Sequence, residues 1–251
     1  MTPQELYRAF AFPESCALGK RVFKKLFHEN GELTAADKRA LSDAVKGISW
    51  QFTLKPSTIP VQPFRDEERE YEEIAVVELE LSDRRAASRL ARVVHRAIPY
   101  PVLLIFADDS GVLLSTATKR LSRAEADRII ADAYESTCWL DGDERSQAER
   151  AFIESLCLAG LPHTDFLALY EAWVERVVAL ACAELSQTFD LAPERPWSQR
   201  RARLDACREL ERRLVSLRAS IRGESSFARQ VELNTEIKSL ETELRRQAAA
   251  L

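Results

Sequence analysis

Two glutamates separated by a single residue, Glu78 and Glu80, are the side chains best spaced for chemistry in this sequence. On an extended strand they share one face, about 6–7 Å apart, close enough to hold one divalent cation between them. Nucleases of the restriction-enzyme type place an acid and then an acid-x-Lys on such a strand, the lysine steadying the attacking water. Here that slot reads Glu78-Leu79-Glu80, and the lysine is missing. Asp108 and Asp109 could add a ligand, but they fall in an evident turn. The plainer reading is a strand end emerging into solvent, which alternation alone predicts.

The other reactive types offer less. His28 ends a helix, His95 sits beside Arg96 on a charged helix, and His163 follows Pro162 at a helix start. No two have metal-ligand spacing, and lone histidines of this kind are read as structural. The five cysteines, at 16, 138, 157, 182 and 207, form neither a disulfide framework nor a zinc pattern, so buried, reduced thiols are expected. There is no dinucleotide fingerprint, no phosphate-binding Gly-Lys-Ser/Thr loop and no nucleophile elbow. The expectation is no cofactor and no resident metal. Trp50 and Tyr100, beside proline-rich turns, could line a groove, although core anchors explain them equally well.

Charge is unevenly placed. Asp66 to Asp83 holds nine acids and one arginine, whereas Arg200 to Arg222 holds eight arginines and three acids. Arginine donates bidentately to oxyanions, so Arg200, Arg201, Arg203, Arg208, Arg212 and Arg213 are candidates for nucleic-acid or partner contact. The competing account is a solvated coiled-coil flank whose arginines pair with glutamates on a second arm, and no interleaved aromatics favour nucleic acid.

The elements that must position these residues follow from periodicity. Helices are expected at Pro3–Phe10, Ser15–His28 and about 34–46, followed by a strand from Ile48 to Leu54. Tyr71–Leu81 reads as a strand with Ala75, Val77, Leu79 and Leu81 on one face and Ile74, Val76, Glu78 and Glu80 on the other. An amphipathic helix covers Asp83–Ala97, then a central apolar strand Val102–Ala107 turns through Asp108-Asp109-Ser110-Gly111 into Val112–Thr118. Ser122–Glu125 reads as a capping box opening another helix, a short strand is expected near Tyr134–Leu140, and helices at 148–159 and 164–188 come next. In the last 55 residues Leu210, Leu214, Leu217 and Ile221 follow heptad spacing, as do Leu233, Ile237, Leu240 and Leu244. Gly223, Ser225 and Ser226 lie between the seams, where the chain can reverse.

The fold class expected is α+β: a small mixed sheet of four or five strands packed with helices, then a helical segment, then an antiparallel coiled-coil hairpin. The domains read as 1–142, 143–192 and 197–251. Seven glycines in 251 residues, about 3% against a usual 7% or so, argue against glycine-lined nucleotide loops and tight-turned all-β folds. The apolar run Ile98–Ala107 is too short for a membrane span, and the first residues lack a basic segment followed by an apolar one. A cytoplasmic protein without a membrane partner is expected.

Three stretches carry a family resemblance: Ile48-Ser49-Trp50 with Leu54-Lys55-Pro56-Ser57-Thr58-Ile59; Ala97-Ile98-Pro99-Tyr100-Pro101-Val102-Leu103; and Phe227-Ala228-Arg229-Gln230-Val231-Glu232-Leu233-Asn234. With the acidic strand Val77–Leu81 between them, the chain resembles the uncharacterised bacterial family called domain of unknown function 4391, from about Phe12 to Leu244. The resemblance implies operons shared with helicases and DNA methyltransferases in restriction or phage-defence systems. It brings no catalytic residues. Relatives often carry a lysine just after the acidic strand, where this chain has Ser82. The function expected is a non-enzymatic accessory protein that binds a helicase or methyltransferase and contacts DNA. The alternatives are a divergent Mg-dependent nuclease on Glu78 and Glu80, or a self-associating structural protein whose leucine seams make a homodimer.

Overall fold

The computed structural model describes residues 1–251 apart from 31–32, 123–127, 143 and 192–195. It is mixed α and β, in two compact units, Met1–Val177 and Val178–Leu251. Among the described residues, no helix is long and apolar enough to cross a membrane.

The first unit is built on a seven-stranded sheet with strand order β1-β2-β5-β6-β7-β8, where β9 also pairs with β7. These strands are β1 (Ala17–Arg21), β2 (Val45–Leu54), β5 (Ile74–Leu81), β6 (Val102–Ala107), β7 (Gly111–Leu121), β8 (Ile129–Ser136) and β9 (Leu140–Asp141). A separate two-stranded ribbon joins β3 (Phe64–Arg65) to β4 (Glu70–Tyr71). All neighbours in the sheet run antiparallel except β5 and β6, which are parallel and joined by the crossover helix α4 (Ala87–Ala97). This pair is central because its residues are apolar on both faces: β6 is buried throughout, and β5 opens to solvent only at its two glutamates. Ala75, Val77, Leu79 and Leu81 meet Leu90, Ala91 and Val94 of α4, with Leu41 of α3 (Ala35–Asp43), in one apolar cluster.

The opposite face is tied down by tyrosines. Tyr170, in α6 (Phe166–Ser186), sets its hydroxyl 2.9 Å from the Val102 carbonyl and accepts the Ala117 N–H at 3.0 Å. Tyr71 accepts the Lys119 N–H at 2.8 Å. Phe10, at the end of α1 (Pro3–Phe10), packs edge-on against Trp173. Lys119 is itself buried, and its ammonium donates to the His95 and Ile98 carbonyls, the latter at 2.7 Å, so that it closes the C-terminus of α4. Burial pushes the Lys119 ammonium down from its ordinary value to about 7. His95 is wholly buried, its Nε2 3.3 Å from Ser115 Oγ.

Four expectations are corrected. Among the described residues the sheet has seven strands rather than four or five. The expected helix over Ser15–His28 is instead the edge strand β1 followed by α2 (Lys24–Asn30). Every β1 residue is exposed, so no period-two pattern marked it; pairing with β2 made it a strand. The Tyr71–Leu81 strand begins at Ile74, because the chain breaks between Tyr71, which belongs to β4, and β5. The expected Tyr134–Leu140 strand is two pieces, β8 ending at Ser136 and β9 starting at Leu140. Gly111 explains where β9 docks: a side chain there would sit 2.7 Å from the Leu140 carbonyl and from Asp141 Cβ. The capping box at Ser122–Glu125, and the start of the helix expected to open there, fall largely outside the described residues; from Ile129 the chain is strand β8.

The second unit holds the end of α6, then α7 (Trp197–Gly223) and α8 (Phe227–Ala248). Residues 224–226 link α7 to α8.

Candidate partner-binding surfaces and the acidic strand

Glu78 and Glu80 lie on the same face of β5, as their spacing requires, yet the fold gives each carboxylate a partner. Glu78 accepts a short hydrogen bond from the Tyr7 hydroxyl of α1 and one from Gln51 Nε2 of β2 at 3.1 Å. Desolvation, together with this contact, pushes the Tyr7 phenol well above its ordinary range, so it remains a donor. Glu80 lies 3.5 Å from Lys46 Nζ, which also reaches Asp109 at 3.8 Å. A lysine therefore does stand beside the acidic pair, contributed by the adjacent strand. Among the described residues no group of three or more His, Cys, Asp and Glu is placed to hold a metal ion.

Asp108 is engaged elsewhere. Arg84 grips it with Nε and Nη2, reaches Asp141 at 2.5 Å, and lies over the Trp139 ring, pinning the β6–β7 turn to β9. The guanidinium and the Ser110 and Gly111 N–H groups hold the Asp108 carboxyl down at about 2.

In the second unit the candidate arginines already have partners. Arg213 and Arg218 of α7 pair with Glu236 and Glu241 of α8 at 2.5 and 2.7 Å. Arg212 pairs with Glu209 on its own helix, and Arg201 and Arg208 both lie within 4.0 Å of Asp205. Arg203 donates to the Ala250 carbonyl at 3.1 Å. Arg200 is only 2% exposed and donates to the Asp190 carbonyl, which removes it from the candidate contact face. Of the eight seam positions, Leu214, Leu233 and Ile237 are buried, while Leu210, Leu217, Ile221, Leu240 and Leu244 are half-buried. Between the helices a groove of about 420 Å³ has Leu214, Val215 and Leu244 as its apolar part and Glu211, Arg218 and Glu241 among its charged residues.

A second groove, of about 180 Å³, lies in the first unit and is lined by Val22, Leu26, Phe27, Trp50, Pro99 and Tyr100, among others. Of the two aromatics that the sequence suggested for a groove, Trp50 is half-buried and Tyr100 is 38% exposed, and both line it. Val22 and Leu26 gave no such signal, because their stretch read as the face of a helix. The Ile48-Ser49-Trp50 and Ala97–Leu103 stretches meet at this groove, so two of the three segments behind the resemblance converge here.

The family model described as "Domain of unknown function (DUF4391)" matches residues 10–244. The chain belongs to this family. The DUF4391 match spans the sheet and nearly all of α7 and α8. No curated protein and no solved structure matches the chain.

Proposed function

We propose that this DUF4391 chain is a non-enzymatic accessory protein of a bacterial DNA-processing or phage-defence system, acting in the cytoplasm and binding a helicase or DNA methyltransferase. In this reading α7 and α8 form an antiparallel coiled-coil hairpin that makes the contact. The observation that carries it is the incompletely buried seam: five heptad positions stay half-buried after the two helices meet. An apolar stripe that two helices cannot cover suits a third helix, supplied by a partner. Arg203 near one end of α7 meets Ala250 beyond the end of α8, while Arg213 meets Glu236 nearer the middle, which supports antiparallel arms. Because so many arginines are paired with acids of the same chain, DNA contact is secondary to protein contact in this reading.

The test is a pull-down of the tagged chain expressed with its native operon, in parallel with a chain ending at Pro196. Neighbouring gene products should co-purify with the full chain and be lost from the shortened one. If none co-purifies and no DNA is shifted at low salt, the accessory role is refuted. Light scattering on the same samples reveals whether the seams are instead filled by a second copy.

Lys46 beside Glu80 keeps a second reading open, a metal-dependent nuclease on the acidic strand. It requires plasmid cleavage with Mg²⁺ or Mn²⁺ that is lost in Glu78→Gln, Glu80→Gln and Lys46→Ala chains; cleavage that persists in all three sinks that site.

A further inference from the structure

The groove lined by Trp50 and Tyr100 combines three features that together specify a ligand. Its volume of about 180 Å³ is below the range of about 300–1,000 Å³ usual for small-molecule and cofactor sites, and suits one large side chain. Its lining is apolar apart from the Tyr100 hydroxyl and the Trp50 indole, and the indole N–H already donates to the Phe52 carbonyl at 3.0 Å. A nucleobase seated there would leave its edge donors and acceptors unpaired, whereas a leucine or aromatic side chain would lose nothing. The neighbouring chain is basic and apolar: residues 17–30 contain Lys20, Arg21, Lys24 and Lys25 but only one acid, Glu29, on a protein whose net charge is −4. Lys20 stands opposite Trp50 in the β1–β2 register and therefore on the same face of the sheet. Among the described residues neither Lys20 nor Arg21 makes an ion pair, although Lys25 is matched by Glu29. Leu18 and Phe23, on either side of these cations in sequence, are 38% and 64% exposed.

We propose that this groove is a docking site for a short segment of a partner protein that inserts one leucine or aromatic side chain and carries acidic residues beside it. The anchor fills the pocket between Leu26 and Tyr100, and an acid beside it meets Lys20, which makes no ion pair among the described residues; Arg21, paired with Ser49 as the next residue of the strand, points to the opposite face. Charge complementarity selects an acidic segment, and the apolar walls supply the affinity. This surface lies in the first unit and stands whether or not the hairpin binds a partner.

The experiment selects a phage-displayed library of random dodecapeptides on the full-length chain and measures a synthetic copy of the enriched peptide by fluorescence anisotropy. The enriched peptides should carry a leucine or aromatic anchor flanked by Asp or Glu. Binding should weaken about tenfold, equivalent to about 1.4 kcal/mol, with Leu26→Glu and separately with Tyr100→Glu, and severalfold with Lys20→Glu, whereas Arg21→Glu, on the opposite face, should leave it unchanged. Leu26 and Tyr100 are 48% and 38% exposed and lie on different segments, so unchanged melting of at least one variant keeps the result interpretable. The proposal is overturned by a failure to enrich, by selected peptides that bind both groove variants as well as the parent, or by displacement of the peptide with labelled oligothymidylate, which would assign the surface to single-stranded nucleic acid.

Discussion

Lys119 and Asp108 show how single residues set the pH response of the first unit. For the buried Lys119 the ordinary value near 10.5 falls to about 7. Between those values the unfolded chain holds a proton that the folded chain lacks, so this group makes stability rise with pH across that window. Below about pH 7 its full cost is present. Lys119→Met should flatten the rise in thermal midpoint between pH 7 and 9.5, at the expense of two hydrogen bonds to the end of α4, about 1 kcal/mol each. Asp108 works in the opposite sense. Its carboxyl is held near 2 by Arg84, so its contribution is complete above the ordinary value of 3.8 and is lost as pH falls through about 2. Arg84→Ala should cost about 2–3 kcal/mol at pH 7 and shrink the loss of stability on acidification, as read by urea titration at several pH values.

Among the elements, the clearest in the sequence were those whose burial is periodic. β5 was legible because Ala75, Val77, Leu79 and Leu81 share one face, and all of them enter the core. β6 was legible as an unbroken apolar run, and the turn after it by Asp108–Gly111. β1 was hidden because an edge strand with every residue exposed has no alternation to read, and β9 because two residues are too few. The groove was legible only at its aromatics, since its members come from residues 22–27, 50, 77 and 97–100, and only the fold joins them. In α7, Leu214 is 4% exposed, and Leu214→Ala should cost about 2–4 kcal/mol by chemical denaturation of the second unit. Val215→Glu, at a position 66% exposed, should leave that stability unchanged while weakening capture of the hairpin's partner in the pull-down.

For the molecule as a whole, the outer edge of β1 matters beyond recognition. A free strand edge invites sheet-to-sheet growth between copies, and this one is guarded. Its register slips between Ala17 and Lys20, Gly19 takes φ +58°, and Lys20 and Arg21 follow at once. A kinked, doubly charged strand cannot lie flat against its own image. Lys20→Val with Arg21→Val would leave Ala17 to Phe23 uncharged and rich in β-branched residues. That variant should stay folded yet form thioflavin-positive aggregates at concentrations where the parent stays clear. Lys20, the cation that awaits an acidic partner, would then also be, with Arg21 on the other face, what keeps this edge from pairing with its own image.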